Sequence, residues 1–150
     1  MSIVKRNDGY SAQQGDNTVR EAIPVFDASG HVYPVGSTPL IAGSGNKANA
    51  SAAATLTGTA TTTVYITGFE VTGSGATAGL PVTVTVAGLL GGTQSYTYSF
   101  VAGVLVSNVP LNVQFTTPLP ASAVNTAIVV TCPASGAGGT NNTVVAHGFY

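Results

Sequence analysis

The sequence predicts an all-β chain: a β-sandwich of seven or eight strands, jelly-roll or immunoglobulin-like, preceded by an extended N-terminal arm and a β-hairpin. Three observations carry this. Residues 81–86 read PVTVTV, with Val82, Val84 and Val86 on one side and Thr83 and Thr85 on the other. That period of two marks a half-buried strand, and β-branched side chains suit its pleated surface. Similar apolar stretches recur from about residue 48 onward, separated by glycine clusters such as Gly73-Ser74-Gly75 and Gly91-Gly92. Such spacing is that of sandwich strands and turns. Finally, no stretch supports a helix of three turns, and nothing repeats at a fixed period.

Taken in order, residues 1–15 are polar, with turn-like Asn7-Asp8-Gly9 and Gln13-Gln14-Gly15. They read as an extended arm. Residues 22–35 read as a hairpin whose four-residue connection is Asp27-Ala28-Ser29-Gly30. Aspartate accepts backbone hydrogen bonds at a turn start, and glycine takes positive φ at its end. Two strands alone are marginal in water, so this hairpin needs a surface to lie on. Residues 36–48 hold Gly36, Pro39, Gly43, Gly45 and Asn46 and read as a linker, with Leu40-Ile41 as an apolar spot that docks on something. A boundary at 45–48 divides the chain into an arm, hairpin and linker (1–47) and a sandwich domain (48–150).

Within the sandwich, strands are expected near 50–57, 61–72, 81–89, 94–101, 104–115, 125–132 and 142–149. The alternation Val64, Ile66 cannot continue through Phe69 and Val71 on one face, so a switch or bulge is expected near Gly68. Tyr96, Tyr98 and Phe100 share one face, as do Leu111, Val113 and Phe115. Residues 116–125 contain Pro118 and Pro120. They cannot form a central strand and read as a crossover with one helical turn at 121–124.

Charge is confined to the front. Lys5, Arg6, Asp8, Asp16, Arg20, Glu21, Asp27 and Lys47 all precede residue 48, and only Glu70 follows. A net charge of −1 offers no basic stripe for nucleic acid. No run approaches the roughly 18 apolar residues of a membrane helix, and the start lacks a signal-peptide core. Synthesis in the cytoplasm is therefore expected. The sequons at Asn49 and Asn141 then read as chance matches. With one carboxylate after residue 48, stability is expected to vary little with pH or salt.

Catalytic chemistry finds no support. His31, His147 and Cys132 are far apart in sequence, and the carboxylates have neither calcium-loop spacing nor a paired arrangement. Cys132 faces the same side as Ile128 and Val130 and reads as a buried thiol. The glycine-rich residues 73–79 precede a strand and lack lysine, so they form no phosphate loop. No catalytic residue, cofactor or metal site is expected, and the chain reads as a non-enzyme. Glu70 is the outlier: it is either solvated or paired across an interface with a base such as Arg6, Arg20 or Lys47.

The polar faces of the strands carry Thr, Ser, Asn and Gln in place of Lys and Glu. Free monomers usually guard their edge strands with charge. Missing guards imply that the domain works in an assembly; the alternative is that short, twisted, threonine-rich strands protect themselves. Tyr65-Ile66-Thr67-Gly68-Phe69-Glu70-Val71-Thr72-Gly73, the run from Phe115 to Thr126 through Pro118-Leu119-Pro120, and the ending Val145-Ala146-His147-Gly148-Phe149-Tyr150 look familiar together. With the Val25-to-Gly30 hairpin, they resemble head decoration (cement) proteins of tailed bacteriophages. The resemblance implies a β-sandwich body, a homotrimer or other symmetric homo-oligomer, attachment to the major capsid protein, and a place on the virion surface. It transfers no catalytic residue. The residues expected at interfaces are Lys5, Arg6, Arg20, Glu21, Phe26, Asp27, Tyr33, Lys47 and Glu70. An alternative is a carbohydrate-binding or adhesive module of a tail or fibre, with Tyr10, Tyr33, Tyr96 and Tyr98 as candidate sugar platforms.

Overall fold

A computed structural model describes residues 37–103, 106–136 and 140–150, together with the backbone of four two-residue strands nearer the N-terminus. The chain forms two units, Met1–Gly36 and Ser37–Tyr150. In the first, β1 (Val4–Lys5) pairs with β2 (Ser11–Ala12), so the expected arm contains a hairpin. β3 (Val25–Phe26) pairs with β4 (Val32–Tyr33) in the expected second hairpin. Its register, Phe26 opposite Val32, leaves residues 27–31 in the connection, one more than the expected turn.

Among the described residues, the second unit holds nine strands: β5 (Pro39–Gly43), β6 (Lys47–Ala48), β7 (Ala52–Leu56), β8 (Tyr65–Ser74), β9 (Leu80–Ala87), β10 (Gln94–Phe100), β11 (Leu111–Pro120), β12 (Ile128–Cys132) and β13 (Asn141–Phe149). One sheet has the order β10-β9-β12-β7. The other has the order β11-β8-β13-β5, with β6 also on β13. All pairings are antiparallel. Every connection between successive long strands except β9–β10 crosses from one sheet to the other. Eight long strands divided four and four in this order form a jelly roll, which resolves the choice left open by strand spacing.

The stretch expected to be a linker is part of the sheet. β5 and β6 lie along the same side of β13, separated by residues 44–46. There Gly45 takes φ +61°, and the Ser44 hydroxyl accepts the Val144 N–H at 2.9 Å. A side chain thus replaces one rung of the ladder. Leu40 and Ala42 pack against the core, while Ile41 is 76% exposed.

Two further corrections concern residues 104–125. The strand expected at 104–115 begins at Leu111 and continues through Pro118 to Pro120. It can do so because β11 is an edge strand, where a missing N–H costs no ladder bond. The helical turn expected at 121–124 is a β-turn, with Thr126 N–H donating to the Ala123 carbonyl and Asn125 at φ +59°.

The expected bulge lies in β8. His147 pairs with Gly68 and Gly148 with Ile66, which leaves Thr67 as the extra residue. Val64 and Ile66 face the core before it; Phe69 and Val71 do so after it. The extra residue therefore re-aims the strand and lets both halves bury their apolar side chains. Phe69 is fully buried, 5.2 Å from the Tyr96 ring edge-to-face and 6.3 Å from Phe115. Opposite it lie Val82, Val84 and Val86 of β9 and Ile128, Val130 and Cys132 of β12, all buried. Each such aliphatic side chain contributes roughly 1.5–3 kcal/mol.

Candidate interaction surfaces

Among the described residues, no three His, Cys, Asp or Glu side chains lie close enough to hold a metal ion. No helix there is long and apolar enough to cross a membrane. Cys132 is fully buried, its Sγ 3.6 Å from the Pro133 carbonyl oxygen. Burial pushes its thiol up to about 11, so it stays protonated and poorly nucleophilic at neutral pH. Tyr98 is also buried. Its phenol is raised by burial and then by the Cys132 charge.

Glu70 projects from the outer face of the β11-β8-β13-β5 sheet. Its neighbour across the strands is Asn112, whose Nδ2 donates to Glu70 Oε1 at 2.6 Å. Gln114 Nε2 in turn donates to Asn112 Oδ1 at 3.2 Å. The Gln114 side chain lies over Gly68, where a Cβ would meet its Oε1 at 2.6 Å. Gly68 therefore makes room for a polar row running Gln114–Asn112–Glu70. On the other side of β8 the same face carries Val145 beside Glu70 and Ile41 beside His147. At one end, Tyr65 and Phe149 stack with centroids 5.2 Å apart. This face combines one carboxylate, two amides, and an apolar strip.

A cleft of about 520 Å³ opens where β8 and β13 leave the sandwich, lined by Asn46, Thr72, Ser74, Asn108, Asn141 and neighbours. Its amides hold the loops together. Asn108 donates its N–H to Gly73 and accepts the Val101 N–H on Oδ1 at 2.8 Å. Asn46 Nδ2 donates to Asn141 Oδ1 at 2.9 Å. Among the described residues, no aromatic ring lines this cleft.

Exposed aliphatic side chains mark both ends of the sandwich. The β10–β11 connection presents Val101, Val106 and Val109, the last 84% exposed. This connection is tied to β8 and the β8–β9 turn by bonds from Asn108 N–H to Gly73 and Gly75 N–H to Val106. At the opposite end, Leu90 and Val124 are exposed on connections joined by the Leu90 N–H bond to Pro120 and the Leu89–Ala121 bridge. The valines of the β10–β11 connection went unread in the sequence because the run Val-Leu-Val-Ser-Asn-Val at 104–109 resembles a strand. Pro110, closing that run, was the available signal.

Of the residues expected at interfaces, Lys47 lies exposed on β6, and Glu70 lies half-buried on β8, where Asn112 engages it. Lys5, Phe26 and Tyr33 fall on β1, β3 and β4, but their side chains lie outside the described residues. Arg6, Arg20, Glu21 and Asp27 lie outside the described residues altogether, as does Tyr10. Of the tyrosines considered as sugar platforms, Tyr98 is core, and Tyr96 is half-buried with its hydroxyl donating to Gln94 Oε1 at 2.6 Å. No family model, curated protein or solved structure matches the chain.

Proposed function

We propose that this chain is a non-enzymatic structural protein that works in an assembly, as a decoration protein on the capsid of a tailed bacteriophage. The observation that carries the reading is the chemistry of the sandwich edges. β5, β7, β10 and β11 carry no charged side chain, and the whole of residues 37–150 holds only Lys47 and Glu70. Edges of that kind suit a surface shared with other subunits. The sequence resemblance adds the capsid as the setting and the major capsid protein as the partner. In this reading the sandwich forms a symmetric homo-oligomer and the outer wall, and residues 1–36, with most of the charge, grip the capsid. A protein that binds across capsid subunits only when they are assembled stabilises the assembled state by mass action.

The test is to locate the protein on virions by electron microscopy with an antibody raised against it. Label on the head surface is the expected result; label confined to the tail or fibres overturns the capsid reading. Removing residues 1–20 should weaken attachment to capsids, and undiminished attachment would refute their role as the grip.

A further inference from the structure

The four edges of the sandwich are not equally protected. β11 carries Pro118 and Pro120 and a register break between Gln114 and Leu119. β5 begins at Pro39 and runs into the interruption at 44–46, followed by Lys47. β7 is five residues long, built mainly of alanine, and packs against β5 of the facing sheet. Prolines, bulges, lysines and short strands all blunt pairing with a stranger. β10 has none of them. It runs for seven residues without proline, charge or bulge, in unbroken register with β9 from Gln94 opposite Val86 to Phe100 opposite Leu80. Among the described residues no strand lies on its other side. The adjoining seam is lined by Tyr96, Leu111, Val113 and Phe115, all half-buried against the core.

The sequence of β10, Gln-Ser-Tyr-Thr-Tyr-Ser-Phe, is nearly symmetric about Thr97. Antiparallel pairing of β10 with another β10 about that residue places Thr97 opposite Thr97, Ser95 opposite Ser99 and Tyr96 opposite Tyr98. Ser95, Thr97 and Ser99 are exposed, whereas Tyr98 and Phe100 face the core. Hydroxyls would thus meet hydroxyls on the outer face, and rings would meet rings on the inner one. Both kinds of cross-strand pair are favourable. A two-fold interface requires such self-complementarity, because the same patch serves both partners. An unrelated strand would have no need of it.

We propose that two copies of this chain join β10 to β10 about a two-fold axis at Thr97, fusing two four-stranded sheets into one continuous sheet of eight. This rests on the assembly half of the function proposed above and not on the capsid half. The purified protein tests it without capsids, so its failure leaves the capsid reading standing.

The experiment uses full-length protein at tens of micromolar in sedimentation velocity, with three variants at exposed β10 positions. Wild type should sediment as a dimer or an even multiple. Thr97→Lys sets two ammonium groups opposite each other on the axis and should weaken association about tenfold or more. Thr97→Cys should form a covalent dimer on mild oxidation, because directly opposed strand residues lie within disulfide range. Ser95→Cys should not, since its symmetry mate lies four residues away along the partner strand. The thiol of Cys132 is buried and stays out of the reaction. Circular dichroism checks that each variant remains folded. A monomeric wild type, an oligomer indifferent to Thr97→Lys in folded protein, or cross-linking at 95 without cross-linking at 97 would each overturn the proposal.

Discussion

Raising the pH should loosen this sandwich although it contains few charged groups. Cys132 is fully buried, and burial pushes its thiol from 9.0 up to about 11. Tyr98 is raised in the same direction, by burial and then by the Cys132 charge, and Tyr96 by burial. Between these values the folded chain keeps protons that the unfolded chain has already released. Stability falls with rising pH wherever the folded state binds more protons. The contribution of Cys132 is therefore fully present below about pH 9 and lost as the pH climbs through 11. The two-unit shift corresponds to at most roughly 2–3 kcal/mol, of which about 2 kcal/mol is expressed by about pH 10.5. Urea unfolding at pH 8 and 10.5 measures it directly. For a urea slope of about 2 kcal/mol per molar, the midpoint should drop by about 1 M. Cys132→Ala should lose most of that drop, leaving the smaller tyrosine share. An equal drop in Cys132→Ala would refute the assignment to the thiol, and no drop in wild type would refute the burial argument itself. Counting charges in the sequence misses this effect, because the responsible groups are neutral until they titrate.

Two further substitutions probe the packing. Phe69→Ala removes the ring between Tyr96 and Phe115 at a fully buried position and should cost about 3–5 kcal/mol in chemical unfolding, since the surrounding sheets close only partly on such a cavity. Gly148→Ala adds a Cβ that collides with the Tyr65 carbonyl oxygen opposite the β8 bulge and approaches Leu56. It should destabilise by about 1–3 kcal/mol and lower the thermal midpoint, whereas Gly91→Ala, where a Cβ meets nothing, should not.

The sequence made local features legible and long-range ones obscure. Residues 81–86 announce their strand because the alternation needs no knowledge of a partner. The β8 bulge was also visible, since Ile66 and Phe69 cannot both face inward without an extra residue. β5 was hidden for the opposite reason. Pro-Leu-Ile-Ala-Gly is short and flanked by glycine, and it becomes a strand only because β13, about a hundred residues later, supplies its ladder. Pro118 misled in a related way, because whether a proline breaks a strand depends on its place in the sheet. The division between jelly roll and immunoglobulin-like order rests wholly on such distant pairings. The interaction surfaces follow the same pattern: Glu70 stood out by its charge, but its Asn112 partner and the exposure of Val101, Val106 and Val109 depend on the fold.

The placement of charge also divides the work of recognition. Residues 37–150 carry one positive and one negative side chain, so no net repulsion opposes the approach of two sandwiches, and none steers it. In the proposed assembly, contacts between sandwiches would draw on backbone pairing, neutral hydrogen bonds and apolar area, the terms that salt affects least. Residues 1–36 carry seven of the nine charged side chains of the chain. Their contacts are the ones that screening can weaken and an oppositely charged surface can select. If the sandwiches associate as proposed, without electrostatic preference, the charged N-terminal unit would supply that preference, separating the strength of an assembly from the choice of where it forms.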